Sequence, residues 1–182
     1  MRKIAPALVA ATFAATALAA TATTASAAPG PTIVDVAVSA SGGGALDADH
    51  GDFDILVQAV LATDLDGFLS GKGQHTVFAP TDQAFLDLTG ATTEADALDT
   101  AVALLGVDGV RDVVSYHVAP GARRSGDVVD ATRIRTITGS FITKDAGSTV
   151  LTGGSGDDVQ ILAVDIPASN GVIHVIDGVL LP

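Results

Sequence analysis

Apolar residues fall at helical spacing in the first half of the chain and alternate in the second, so helices and strands occupy separate stretches of sequence. A doubly wound parallel sheet needs the two to alternate; their segregation points to an α+β domain. Phe53, Leu56, Val57 and Val60 recur with a helical period and Asp52 stands where a cap belongs, which predicts a helix over 53–61. His75-Thr76-Val77-Phe78-Ala79 is a short β run stopped by Pro80. Thr81 is then a helix cap, Asp82 puts negative charge in the first turn, and Ala84, Phe85 and Leu88 supply the inward face. Helical patterning resumes over 92–105, where Thr93 and Asp96 have capping-box spacing, and again over 110–116. Residues 33–38 fit a strand or a first helix equally well.

From Val118 onward the texture is β. Residues 133–138 alternate, 140–143 and 148–151 are short strand candidates, and 158–164 and 171–181 close the chain as two strands. Between the last two, Asn170-Gly171 suits a tight turn with positive φ. Residues 41–52, with three consecutive glycines followed by acidic side chains, are expected as a loop.

The N-terminus predicts export. Arg2 and Lys3 give a positive start, an apolar run follows from Ile4 to Ala20, and Ala25-Ser26-Ala27 places small residues where a signal peptidase reads. The run is Ala-rich and gives way to Thr and Ser short of the roughly 20 residues a span needs. A cleavable signal, Met1 to about Ala27, is therefore expected, followed by a short leader, 28–31, and one domain, 32–182. Cleavage takes two of the nine Lys and Arg residues, leaving seven against 21 Asp and Glu. Such a surface offers no basic footprint for nucleic acid and no electrostatic hold on anionic lipid. Cysteine is absent, so stability outside the cell must come from core burial, and thiol catalysis and thiolate metal sites are excluded. With no second apolar span and no sorting tail before Pro182, free secretion of a monomer is the expectation.

Candidate chemistry is sparse. An EF-hand loop begun at Asp47 would need glycine at its sixth position and glutamate at its twelfth, where Asp52 and Gln58 stand. A solvated acidic loop over 47–54 is the simpler expectation, with an improvised cation site as its alternative; no metal or cofactor is predicted. Residues 153–160 nearly match one calcium β-roll nonapeptide, but Gln160 replaces its apolar residue and such rolls stack in tandem. His50, His75, His117 and His174 share no metal-ligand spacing, and no serine lies in a Gly-x-Ser-x-Gly elbow. His117 and His174 are expected as hydrogen-bonded core residues, and no enzyme is predicted.

Three segments carry a resemblance. They are Thr76-Val77-Phe78-Ala79-Pro80-Thr81-Asp82-Gln83-Ala84-Phe85, Tyr116-His117-Val118-Ala119-Pro120-Gly121, and the closing run 168–182 with Asn170-Gly171-Val172-Ile173-His174-Val175-Ile176-Asp177-Gly178. Together, in this order, they resemble the signature blocks of the fasciclin domain family, with coverage from about Thr32 to Pro182. The resemblance implies a wedge: a β-sandwich-like body with small helices packed along one side. It also implies an extracellular module of matrix or cell surface that adheres to an extracellular or envelope protein or glycan. In animal members the Tyr-His block and an Asp-Ile pair are proposed integrin contacts; these map to Tyr116-His117 and Asp165-Ile166. Here Ala163-Val164 precede the Asp-Ile pair and Pro167 follows it, unlike the animal motif. The composition suggests a bacterium, for which integrin matters only in a host. The stretches 42–52 and 92–109 are longer than usual for the family, and added loops are where a specific ligand is met. Two other readings stand beside adhesion: a small-ligand-binding or hydrolytic protein with a pocket near His117 and His174, and a structural envelope protein.

Overall fold

A computed structural model describes residues 30–182. The expected signal segment lies outside the described residues, as do Ala28 and Pro29 of the leader.

The ambiguous 33–38 stretch is a helix, α1 (Ile33–Ala40), and its cap decides the matter. Thr32 Oγ1 accepts the Asp35 N–H at 3.3 Å while the Asp35 carboxylate accepts the Thr32 N–H at 2.8 Å. This reciprocal box satisfies N–H groups that a helix start leaves without partners. Helix α2 (Asp54–Ala62) forms where the apolar period predicts it, but Asp52 does not cap it; Phe53 holds the cap position and offers no side-chain acceptor. The acceptor comes from elsewhere in the chain. Asp82 Oδ2 and Oδ1 take the Asp54 and Ile55 N–H groups at 2.9 and 2.8 Å. Asp82 opens α4 (Asp82–Thr89), so one carboxylate at the start of one helix caps another. Thr81 occupies the N-cap position of α4 without making a side-chain capping bond.

A short helix α3 (Asp66–Leu69) that the periodicity did not predict precedes β1 (His75–Pro80). The two helical stretches expected over 92–116 join into α5 (Glu94–Tyr116), which bends where Gly106 leaves helical geometry at φ 69°. Then follow β2 (Val118–Pro120), the unpredicted helix α6 (Ser125–Asp130), β3 (Arg133–Arg135), β4 (Phe141–Thr143), β5 (Val150–Thr152), β6 (Asp158–Ala168) and β7 (Gly171–Ile176).

The seven strands form one mixed sheet in the order β2-β1-β7-β6-β5-β4-β3, with only β1 and β7 parallel. Two register shifts bend β6, and just past the strand β3 the Ile137 N–H reaches the Val118 carbonyl of β2 at 2.8 Å. The sheet thereby curls into a nearly closed, barrel-like body with helices against it, an α+β architecture. Its interior holds Phe78, Tyr116, Ile134, Ile142, Leu151, Ile176 and Leu180, all buried. The outer face of β1 and β7 packs under α1, α2, α4 and α5 through Ile33, Leu56, Phe85, Val114 and Ile173. Every residue of β7 is buried, as a central strand covered on both sides requires.

The closing turn differs from expectation. Pro167 and Ala168 still belong to β6, and neither Asn170 nor Gly171 has positive φ. Gly171 is required for a different reason: a Cβ there would run into the His75 carbonyl of the paired strand β1, and would meet Ile33 Cδ1 at 2.7 Å. Asn170 serves as a clasp. Its Oδ1 accepts the Ile33 N–H at 2.9 Å and its Nδ2 donates to the Leu69 carbonyl at 2.5 Å, tying α1 and α3 to the start of β7.

Candidate functional site

Tyr116 and His117 end α5 and both are buried, at 0 and 1 % exposure. The Tyr116 hydroxyl donates to the Phe141 carbonyl of β4 at 2.7 Å. His117 Nδ1 lies 2.8 Å from the Val113 carbonyl and Nε2 accepts the Leu180 N–H at 2.9 Å. A carbonyl can only accept, so Nδ1 carries the hydrogen and the ring is neutral. Burial pushes this imidazole down to about 4. The pair thus ties helix end to barrel and helix end to closing segment, and presents nothing to a partner. Tyr116→Phe is expected to cost about 1 kcal/mol through the orphaned Phe141 carbonyl. Urea denaturation checks this; an unshifted midpoint would show that the bond carries no stability.

Asp165 and Ile166 sit at the second irregularity of β6, with Asp165 at φ 60°. The Asp165 carboxylate accepts the Ser125 N–H at 2.8 Å and the Ser125 hydroxyl at 2.5 Å, so it closes the first turn of α6. Those bonds hold it below the usual carboxylate range. Its own N–H points to His174 Nδ1 at 3.4 Å, while His174 Nε2 donates to the Arg123 carbonyl at 2.9 Å. His174, like His117, is buried with both nitrogens engaged. Ile166 and His117 meet at one place, the wall of a void of about 50 Å³ between α1, α2 and the sheet. Its other walls are apolar, among them Ile33, Leu56, Val60 and Ile173. Ligand pockets run to roughly 300–1,000 Å³, so a void of this size does not hold a substrate-sized ligand. His117 lines this void and His174 does not, so the two imidazoles share no wall of it.

The acidic loop is solvated over most of its length, with Asp47, Asp49 and Gly51 exposed, but its far end abuts a buried group of carboxylates. Asp54 and Asp82 are at 0 % exposure and Glu94, the chain's single glutamate, is at 1 %. Ligand-type atoms of Asp47, Asp54 and Glu94 lie within 4.8 Å of one another, and so do those of Asp52, Asp82 and Glu94. Glu94 accepts the Asp47 N–H at 2.7 Å and pairs with His50 Nδ1 at 3.0 Å. Among the described residues that is the one contact of salt-bridge geometry, and no Lys or Arg joins the cluster. Burial and the neighbouring Asp52 raise Asp54 to about 6. Burial and a hydrogen bond with Asp52 raise Asp82 to about 8. Sequence reasoning placed Asp47–Asp54 in one loop but missed Asp82 and Glu94, which the starts of α4 and α5 bring in from elsewhere. A lone glutamate among 21 acidic residues was the available hint.

Outside the cores, Leu104, Leu105 and Val107 are exposed at 76, 49 and 48 %, flanking the Gly106 bend of α5 within the long 92–109 stretch. Among the described residues no helix is long and apolar enough to cross a membrane.

A curled mixed sheet flanked by helices, whose signature Tyr, His and Asp side chains hold its parts together, defines a helix-supported scaffold domain. The Fasciclin domain family model matches residues 51–182, and the chain belongs to that family. It is 36% identical over 154 residues to Protein sll1483 of Synechocystis sp., a match covering 83% of this chain and 73% of that protein. It is 31% identical over 137 residues to pig transforming growth factor-beta-induced protein ig-h3, covering 71% of this chain and 18% of that one. Among solved structures, the FAS1 domain pair of the insect cell adhesion molecule fasciclin I aligns with a TM-score of 0.61 over 84% of this chain at 17% identity. The chain spans about half, 51%, of that pair, and the likeness shows the fold.

Proposed function

We propose that the protein is a secreted, non-enzymatic binding module that adheres to an extracellular or envelope protein. One observation carries the choice of surface: the exposed apolar Leu104, Leu105 and Val107 at the α5 bend. Exposed apolar side chains adjacent in one bend are what a protein partner desolvates on binding, and Leu104 is the most exposed of the large apolar side chains among the described residues. Membership in a family that includes a cell adhesion molecule of the same fold supports the reading. So does the engagement of both buried imidazoles, His117 and His174, in structural bonds. Tyr116, His117 and Asp165 act in this proposal by positioning the scaffold, and Ile166 by packing under α1. The folded unit begins at Thr32, because the Thr32 cap and the buried Ile33 belong to the same core as the family-matched residues.

The test is a pull-down of envelope and matrix fractions with the protein as bait, followed by titration of what is captured. The double variant Leu104→Asp, Leu105→Asp is expected to weaken binding at least about tenfold, roughly 1.4 kcal/mol. Its melting temperature should stay within about 2 °C of the parent, because both side chains are exposed. Saturable binding that ignores the double variant would move the contact elsewhere, and no saturable binding to any fraction would end the adhesion reading.

A further inference from the structure

We propose that the 47–54 loop, the first residue of α2 and the starts of α4 and α5 form a site for a hard divalent cation of the calcium class. Asp47, Asp54 and Glu94 supply the core oxygens, with Asp52 and Asp82 beside them. The proposal goes beyond partner binding and does not depend on it.

Acidic residues gather on many surfaces without an ion, so the weight rests on Asp54. It is at 0 % exposure, and among the described residues neither of its carboxylate oxygens has a hydrogen-bond partner. A buried carboxylate normally takes backbone or side-chain donors, since stripping its water uncompensated is costly. The other two buried members of the cluster do so. Asp82 takes two N–H groups of α2, and Glu94 takes the Asp47 N–H and His50. Asp54 instead faces Asp47 and Glu94 with no positive side chain between them.

The donor set selects the class of ion. Every available ligand atom is a carboxylate oxygen, and the one nearby imidazole nitrogen is already paired with Glu94. Oxygen-only sites suit hard cations. Oxygens on opposite sides of a calcium ion stand about 4.8 Å apart, against about 4.2 Å for magnesium. The Asp47, Asp54 and Glu94 atoms all lie within 4.8 Å of one another, inside the span of one cation's oxygen shell. A shell rich in protein carboxylates is what calcium takes, whereas magnesium keeps several waters and uses one or two carboxylates. No contiguous loop motif marks the site because its ligands come from four places in the chain, at 47, 52–54, 82 and 94.

The experiment follows the full chain by calorimetric titration and thermal melting at neutral pH, with calcium chloride as the probe and magnesium and potassium chlorides at matched ionic strength as references. One calcium per chain is expected, with a dissociation constant of about 10⁻⁴–10⁻³ M, the range of extracellular modules. At about ten times that constant the melting temperature should rise by about 3–6 °C. Magnesium should give less than about half this shift. Asp54→Asn should abolish the calcium response. Asp47→Asn, at an exposed position whose loss leaves the fold intact, should weaken it about tenfold. An absent calcium shift, an equal shift with potassium, or a parent-like response in the Asp47→Asn variant would each overturn the site; the last holds even where Asp54→Asn fails to fold.

Discussion

Gly171→Ala is expected to destabilise the protein by more than about 3 kcal/mol, beyond the usual cost of overpacking. Gly171 opens β7 directly opposite His75 in the one parallel pairing of the sheet, and its Cα faces the His75 carbonyl. A methyl group there meets backbone rather than the yielding end of a side chain, and Ile33 closes the remaining space at 2.7 Å. The strands must part, which also strains the clasp through which Asn170 holds α1 and α3. Gly67→Ala is the control: a Cβ there meets nothing within 4 Å, and alanine favours the helix by up to about 1 kcal/mol. Urea denaturation of the two variants should move the midpoint in opposite directions. A Gly171→Ala protein as stable as its parent would mean that β1 and β7 do not approach as closely as described.

The same glycine shows what the sequence made legible and what it left hidden. Asn170-Gly171 marked a turn correctly, but its dipeptide chemistry suggested positive φ, whereas the requirement is set by a strand nearly 100 positions earlier. Periodicity found α2, α4, both halves of α5 and the final strands because each buries one continuous face. It left α1 undecided, although Thr32 and Asp35 already held a capping box that excludes a strand. At the start of α2 the nearest acid, Asp52, was the natural cap by proximity, and Asp82 outcompeted it through tertiary placement. Tyr116, His117, Asp165 and Ile166 were found by resemblance, yet the internal bonds of the first three and the packing of Ile166 could not be seen without the fold. Asp165 reaches Ser125 across 40 positions, and His117 reaches Leu180 across 63. Contacts of that range are set by topology, not by local pattern.

His117 should make stability depend steeply on acidity. Its folded-state value is depressed from an ordinary 6.5 to about 4, because burial disfavours the cation and both ring nitrogens are committed as a neutral tautomer. Between those values the unfolded chain binds a proton that the folded chain refuses, so the folded state gains stability as pH rises. The contribution is complete above about pH 6.5 and is lost as pH falls toward 4. With about 1.36 kcal/mol gained over each pH unit between the two values, it amounts to about 3 kcal/mol. Asp54 and Asp82, raised to about 6 and about 8, titrate in the opposite sense, so the parent's own pH profile mixes these contributions. The difference between parent and His117→Gln isolates the imidazole. Glutamine keeps a donor and an acceptor without titrating, so the variant should be less stable near pH 7.5, where His117 is neutral and fully bonded. Toward pH 4 the gap should narrow by about 3 kcal/mol, as the parent alone bears the cost of keeping its ring neutral. Urea denaturation at closely spaced pH values, without divalent cations, reads this gap directly. A gap that stays constant from pH 7.5 to 4 would mean that His117 titrates alike in the folded and unfolded chains, and that its place between Val113 and Leu180 does not exclude the proton.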